Sequence, residues 1–250
     1  MNNNQIKPKI SIVTVCMNSE KTIERTLKSV IEQNYENLEY IIIDGGSTDR
    51  TLEIVSKYKK YISKLISEND NGIYDAFNKG LKNFTGDLIG FVNSDDYLLD
   101  NALNTISKYY QTYPNIDFFF GSVKKHWGIL HGYKPWKIFY TWGFYTSHST
   151  GFYIKKEAAL KVGFYNLNYK YSSDYDYFYR MIVKYKLKGT ATKKNEILGV
   201  FSRGGLSSKV DFLDHAFECT KIRINNGQNP FLALITLILK FIFNINRIKK

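Results

Sequence analysis

The sequence predicts an α/β fold with a Rossmann-like, mostly parallel central sheet flanked by helices and a C-terminal apolar and basic helix. Three observations carry this. Short β-branched apolar runs alternate with amphipathic helical patterns through the first 113 residues. Polar clusters rich in Asn, Asp and Gly follow the apolar runs rather than precede them. The chain, at 250 residues, is long enough to bury a full core without disulfides or structural metals.

The elements follow in order. Residues 10–16, Ile-Ser-Ile-Val-Thr-Val-Cys, form a short apolar run and predict a buried strand. Asn18 and Ser19 offer an N-cap, and Ile23, Leu27, Val30 and Ile31 give helical spacing over 21–33. Residues 38–43 predict a second strand, 49–61 a helix, 62–66 a third strand and 73–84 a third helix. A fourth strand is expected at 87–92 and a fourth helix at 99–113. Right-handed crossovers place the strand C-termini on one edge, where open α/β sheets bind ligands. The clusters at Asn18, Asp44, residues 68–70 and residues 93–96 converge on that edge.

The second half is less regular. Strands are expected at 117–121, 122–131 and 152–154, a loop at 163–173 and an amphipathic helix at 174–185. With no linker and no internal repeat, residues 1–227 read as one domain, with a Rossmann-like half at about 1–115 and a less regular half at 116–227. Residues 228–250 form a separate terminal segment. Its stretch 231–245 is almost wholly apolar, too short for the roughly 20 residues that span a bilayer, and followed by Arg247, Lys249 and Lys250. Such a segment suits a helix lying on an anionic membrane surface, or one docked on the core or in a homodimer.

The chain carries a net charge of +12, and half of the excess lies in residues 219–250, which hold six basic residues and no acid. A basic surface prefers phosphates, in nucleotides, lipid headgroups or nucleic acid. Because so much of the charge sits in an apolar tail, no nucleic-acid partner is expected. Two cysteines, Cys16 and Cys219, make neither a disulfide framework nor a zinc spacing. With no signal-peptide pattern at the N-terminus, a cytoplasmic protein is expected, peripheral on the inner face of the plasma membrane.

Two constellations carry chemistry. Asn93-Ser94-Asp95-Asp96 directly follows an apolar strand, and adjacent carboxylates at a buried strand end are costly unless a cation neutralises them. Mg²⁺ or Mn²⁺, shared with a diphosphate, does so; an exposed turn is the plainer alternative. At residues 44–49, Asp-Gly-Gly-Ser-Thr-Asp, glycines let a ligand approach the backbone, and Asp44 is able to accept from a nucleobase N–H or a ribose hydroxyl. No P-loop and no G-x-G-x-x-G dinucleotide motif is present at these turns.

The ordered set Ser11 to Asn18, Ile42-Ile43-Asp44-Gly-Gly-Ser-Thr-Asp49, Asn71-Gly72 to Gly80, and Gly86 to Asp96 resembles family 2 of the glycosyltransferases. The first 100 residues match closely and 145–207 match in outline. The resemblance implies the GT-A fold and an inverting, metal-dependent transfer of one sugar from a nucleotide-sugar donor, a UDP-sugar, with the donor bound by the half at about 1–115 and the acceptor by the half at 116–227. The implied acceptor is a saccharide or polyprenyl-diphosphate-linked saccharide in cell-surface polysaccharide biosynthesis. It further implies that Asp96 binds the metal and Asp95 the ribose or the metal shell, and that Asn18 and Asp44 hold the nucleoside. Asp70 and Asp75 line the donor site, and Asp174 in Ser173-Asp174-Tyr175-Asp176 is the general base, with Asp176 the alternative. His148 stands near the acceptor or diphosphate, or is structural; Arg203 clamps a phosphate, or marks a turn. The chain departs from the family in having Gly45 where a second Asp is usual and Cys16-Met17 before Asn18. A sugar nucleotidylyltransferase would want a basic Gly-rich loop after the first strand, which residues 17–21 lack. A non-enzymatic nucleic-acid-binding protein is the remaining alternative.

Overall fold

The computed structural model describes residues 7–140, 144–145, 147–204 and 210–244. The first half follows the expected alternation. Strand β1 (Ile10–Cys16) leads to α1 (Ile23–Ile31), β2 (Leu38–Asp44), α2 (Thr51–Ser56), β3 (Lys64–Ser67), α3 (Ile73–Asn83) and β4 (Leu88–Phe91). A two-residue strand, β5 (Tyr97–Leu98), follows, and then α4 (Ala102–Thr112). The second half holds β6 (Phe118–Phe120), β7 (Ser122–Lys125), β8 (Gly128–Leu130), β9 (Phe152–Lys155), α5 (Lys156–Val162), α6 (Ser173–Tyr179), β10 (Gly189–Ala191), β11 (Ile197–Val200), α7 (Phe212–Asn225) and α8 (Pro230–Phe243).

The seven-stranded sheet runs β10-β6-β9-β4-β1-β2-β3. Strands β3, β2, β1 and β4 pair in parallel, and β9 enters antiparallel between β4 and β6. The order moves outward from β1 to β3 and then returns to β4 on the other side of β1. The crevice beyond the C-terminal ends of β1 and β4 is therefore the topological switch point, where open α/β sheets bind ligands. Every residue of β1 is buried, which its unbroken apolar run requires of a central strand covered on both faces. Val13, Val15, Phe77, Phe91 and Phe178 pack on one face; Ile10, Ile12, Leu27, Ile42 and Leu103 pack on the other.

A second sheet, β5-β11-β7-β8, was not expected. The predicted strand over 122–131 is a hairpin, β7 and β8, turning before Gly128 at φ +141. Strands of two to four residues are too short to show a period, so β5, β10 and β11 left no mark in the pattern. The helix expected over 49–61 stops at Ser56 and resumes as a 3₁₀ turn at Lys59–Tyr61, and β3 begins two residues later than expected. The helix expected over 174–185 begins at Ser173 and passes at Arg180–Lys184 into a π-helical turn.

Helix α8 settles on α7 through Ala233, Thr236 and Leu237, a narrow stripe of mostly small side chains. Phe241 meets Phe212 and Phe217 of α7, and Lys240 Nζ lies 3.4 Å from His215 Nδ1. The rest of α8 faces outward, with Phe231 70% and Phe243 77% exposed. Ile245 and the basic residues Arg247, Lys249 and Lys250 lie outside the described residues. Among the described residues, no helix is long and apolar enough to cross a membrane.

Candidate active site

Four loops leave the C-terminal ends of β1, β2, β3 and β4 and are tied to one another by side chains. Asn18 takes a left-handed conformation, φ +48, and its Oδ1 accepts the N–H groups of Thr48 at 2.9 Å and Asp49 at 3.4 Å. Ser19 Oγ meets Ser94 Oγ at 2.8 Å, joining the first loop to the fourth. Asp44 is fully buried. It accepts from the N–H groups of Gly46 and Ser47 and from the hydroxyls of Ser47 and Ser67. Expected to face a nucleoside, Asp44 in this structure has both oxygens occupied and shapes the second loop. Asn18 likewise spends its side-chain oxygen on that loop.

Asp70 Oδ1 accepts the N–H of Gly72 at 2.9 Å and Asp75 Oδ2 that of Asn71 at 3.1 Å, which sets the turn into α3. The Asp70 carboxylate comes so close to Gly45 that a Cβ there would collide with it. Thus the space where the family usually carries an Asp side chain is filled by Asp70 reaching over from the third loop.

The fourth loop holds the carboxylate pair. Thr26 Oγ1 donates to Ser94 O at 2.9 Å and Asp96 O at 2.6 Å, and Asp96 N closes a turn on Asn93 O at 2.9 Å. Asp96 is 1% exposed. Its Oδ1 accepts the Ser202 N–H at 2.8 Å, while Oδ2 is buried and accepts no hydrogen bond of ordinary geometry, with the Ser149 hydroxyl beside it. Burial first, and the Asp95 charge second, push the Asp96 carboxyl up to about 7; burial also raises Asp95. Asn93 Oδ1 is a second buried oxygen without a partner in the same turn. An orphaned buried carboxylate oxygen costs free energy unless a cation or proton meets it. Two carboxylates and an amide oxygen form the hard-oxygen set that Mg²⁺ or Mn²⁺ takes. Among the described residues no group of three or more His, Cys, Asp or Glu side chains is gathered to cage a metal. The set therefore fits an ion that completes its shell with substrate oxygens and water.

The other candidate carboxylates lie in the first turn of α6. Asp174 Oδ1 accepts the Tyr175 N–H at 2.8 Å and the Tyr74 hydroxyl at 3.2 Å, and Oδ2 accepts no hydrogen bond among the described residues. Burial raises the Asp174 carboxyl above its usual range. Tyr74, on α3 of the donor half, also donates to Tyr171 O at 3.0 Å, while Glu218 of α7 accepts the N–H groups of Lys170 at 2.6 Å and Tyr171 at 2.8 Å. Asp176 differs: Arg180 Nε binds its Oδ2 at 2.8 Å and Asn226 Nδ2 its Oδ1 at 2.9 Å, so both oxygens are committed to the fold.

His148 is buried, stacked on Phe77 at 4.6 Å between ring centres, with Nε2 against the Tyr165 hydroxyl. Burial pushes its pKa down to about 3, so the ring is neutral and belongs to an aromatic cluster. Its neighbour Ser149 does reach the site, accepting the Asn93 N–H at 2.8 Å. Arg203 is exposed at the rim, one residue after Ser202. Gly205, the end of the expected phosphate-clamping turn, lies outside the described residues.

Sequence reading missed Arg25, Tyr74, Lys125, Ser202 and Glu218. Arg25 donates to Asp95 O at 2.7 Å and Ser202 Oγ at 3.1 Å and lies over the Tyr97 ring at 4.4 Å. Each is a single residue without a motif, brought to the site across long stretches of chain, and no local signal marks any of them.

The glycosyl transferase family 2 model matches residues 11–175. An uncharacterized glycosyltransferase of Mycobacterium tuberculosis is 39% identical over 90 residues, which cover 36% of this chain and 34% of that protein. The match thus spans about a third of that curated relative's length. Among solved structures, S. aureus TarS 1-349 in complex with UDP-GlcNAc superposes with a TM-score of 0.68 at 18% identity, covering 92% of this chain and 70% of that one. The mannosyltransferase PcManGT from Pyrobaculum calidifontis, in complex with GDP-Man and Mn²⁺, gives a TM-score of 0.67 at 16% identity, covering 97% and 76%. The chain therefore belongs to glycosyl transferase family 2 and has the GT-A fold.

Proposed function

We propose that the chain transfers one sugar, with inversion, from a UDP-sugar to a hydroxyl of a saccharide or polyprenyl-diphosphate-linked saccharide in cell-surface polysaccharide assembly. The observation that carries this is the buried Asp96 Oδ2 at the switch point, which accepts no hydrogen bond of ordinary geometry; in the second half of the chain Asp174 keeps one oxygen free. Asp96, with Asp95 and the Asn93 amide oxygen, would hold Mg²⁺ or Mn²⁺. When bound, the ion shares its charge with the donor diphosphate and eases its departure. The Mn²⁺ and GDP-Man held by PcManGT and the UDP-GlcNAc held by TarS support a metal and a nucleotide sugar.

Asp174 Oδ2 takes the proton of the acceptor hydroxyl as that oxygen attacks the anomeric carbon from the face opposite the diphosphate. Tyr74 and Glu218 fix where the base stands: Tyr74 holds Oδ1, and Glu218 holds the backbone at Tyr171. Asp176 is not free for this task, because Arg180 and Asn226 use both its oxygens.

The outward faces of α7 and α8 expose large apolar side chains, including Leu213, Phe217, Phe231, Ile238, Ile242 and Phe243, and the sequence after α8 carries Arg247, Lys249 and Lys250. We read it as the seat of the chain on an anionic bilayer at the inner face of the plasma membrane, near a lipid-linked acceptor. A second copy of the chain is the other occupant; sedimentation of the full chain separates the two.

The test of the transfer reading is a screen of UDP- and GDP-sugars with the full chain for thermal stabilisation and for Mn²⁺-dependent release of nucleoside diphosphate. A bound donor raises the unfolding midpoint through its affinity for the native state. Stabilisation by a UDP-sugar that vanishes in EDTA is expected. No response to any nucleotide sugar, with or without metal, would overturn the reading.

A further inference from the structure

Lys125 closes β7 in the acceptor half, half-buried, in a stretch without any motif. Its Nζ lies 4.4 Å from the centre of the Phe201 ring. Strand pairing fixes that placement, because Val200 of β11 aligns with Lys124 and Phe201 N donates to Lys124 O at 2.9 Å. The residue after Phe201 is Ser202, whose N–H anchors Asp96 Oδ1. The ammonium is thus held one residue away from the bond that fixes the metal-site carboxylate. Burial lowers its pKa, and two carboxylates pull it back up, Asp96 first and Asp174 second. Neither closes on it: among the described residues no salt bridge within 4.0 Å includes Lys125.

A partly desolvated ammonium without a counter-ion costs free energy, and a chain gains from that cost only if an anion arrives. The position narrows which anion. Asp96 marks the end of the site where the diphosphate is expected, and Lys125 is tied to that end through Phe201 and Ser202. The anion expected at that end is the donor diphosphate.

We infer that Lys125 is the protein's own cationic contact to the donor diphosphate, meeting the charge that the leaving group gains as its bond to the sugar breaks. This rests on the glycosyl-transfer reading above. In the step, the acceptor oxygen bonds to the anomeric carbon and its proton goes to Asp174. The bond from that carbon to the diphosphate oxygen breaks, and its electron pair stays on the diphosphate. Lys125 remains protonated throughout and transfers nothing. Phe201 holds the ammonium in place by its ring face before the donor arrives.

The test uses the full chain in Mn²⁺, with UDP, GDP, uridine and guanosine as probes in calorimetric titrations of wild type, Lys125→Met and Lys125→Arg. Lys125→Met keeps most of the stem and its packing and removes the charge. Its affinity for the nucleoside diphosphate that wild type binds should fall about 10–100-fold, the range of a charge-assisted contact. Binding of the matching nucleoside should not change, and Lys125→Arg should recover most of the loss. In turnover, kcat should fall by a larger factor than KM for the donor rises, because the contact strengthens as charge develops. Equal diphosphate affinity in wild type and Lys125→Met overturns the inference, as does an equal loss of nucleoside affinity. Unchanged diphosphate binding with a raised KM for the acceptor also overturns it, by placing Lys125 on the acceptor. Failure of wild type to bind either UDP or GDP overturns the transfer reading itself, and this inference with it.

Discussion

The donor half and the acceptor half place their functional groups by different means. In the donor half, the candidate residues sit at or just beyond the end of a parallel strand, with Asp75 in the first turn of the helix that follows, and these segments satisfy one another: Asn18 on Thr48, Ser19 on Ser94, Ser67 on Asp44. Position comes from the strand–loop–helix repeat and polar ties across neighbouring loops. In the acceptor half the strands are short, one enters antiparallel, and order comes from aromatic packing, such as Phe120 on Tyr145 at 3.9 Å and Tyr165 on Tyr177 at 4.4 Å. There the candidate base, Asp174, is held by single side chains from distant elements, Tyr74 directly and Glu218 through the backbone at Tyr171. Groups at a sheet edge are placed by the fold; a carboxylate set among packed rings and clamps is placed by particular residues of this chain.

The contrast breaks or sharpens by mutation. Asp96→Ala should reduce transfer to background, about 10³-fold or more, and EDTA should mimic it, since a metal supplies several kcal/mol of charge stabilisation. Full activity of that variant in chelator would remove the metal from the donor half.

Asp174→Asn should lower transfer by about 10²–10⁴-fold with nucleotide binding nearly unchanged, because the proposed role of Asp174 is to meet the acceptor hydroxyl and not the nucleotide. The base must be ionised to act, and burial raises its pKa above 3.8, so the rate in wild type should fall with decreasing pH at a pH above the ordinary aspartate range. A pH–kcat profile whose acid limb lies at or below 3.8 would count against Asp174.

Asp176→Asn, two residues on, should act on the fold instead. It leaves the Arg180 guanidinium without its carboxylate in a largely buried pair, a loss of about 3–5 kcal/mol. Urea unfolding reads this directly; a folded but inactive Asp176→Asn beside an active Asp174→Asn would exchange the two roles.

Glu39→Gln probes the opposite edge of the donor half. Against the burial that would raise it, hydrogen bonds from Ser11, Thr85 and Lys9 hold the Glu39 carboxyl down at about 2. A depressed carboxyl stabilises the fold in full above its unfolded value of 4.5 and loses that contribution as pH falls toward 2. The variant should lose about 1–3 kcal/mol at pH 7, with transfer by the folded fraction unchanged. The gap from wild type should narrow between pH 4.5 and 2. A gap independent of pH would show that the carboxylate charge is not what matters.

The smallest effects belong to the tail. Neutralising Lys249 or Lys250 should cost about 1 kcal/mol each in binding to anionic vesicles at low salt, and Phe243→Ser should weaken it further. No sedimentation of wild type with such vesicles would leave the α7–α8 face to a protein partner.

By itself the sequence determined the α/β alternation of the first half and the adjacent carboxylates Asp95 and Asp96 after its fourth strand. Those features are local: a period of apolar residues, a turn-forming cluster and adjacent acids are all readable within about ten residues. Even Ser172–Asp176 stood out as a segment. Tertiary structure alone decided which aspartate is committed to the fold, because Arg180 and Asn226 reach Asp176 from a helical turn and from the end of another helix. It also decided that Asp44 and Asn18 spend their oxygens on loops, that His148 is a neutral ring in an aromatic cluster, and that Arg25, Lys125 and Ser202 gather around Asp96. Each of those outcomes depends on which group closes a buried polar atom's hydrogen bond or charge. That partner sits as much as 106 positions away in the chain, as Ser202 does from Asp96, a separation over which no sequence period extends.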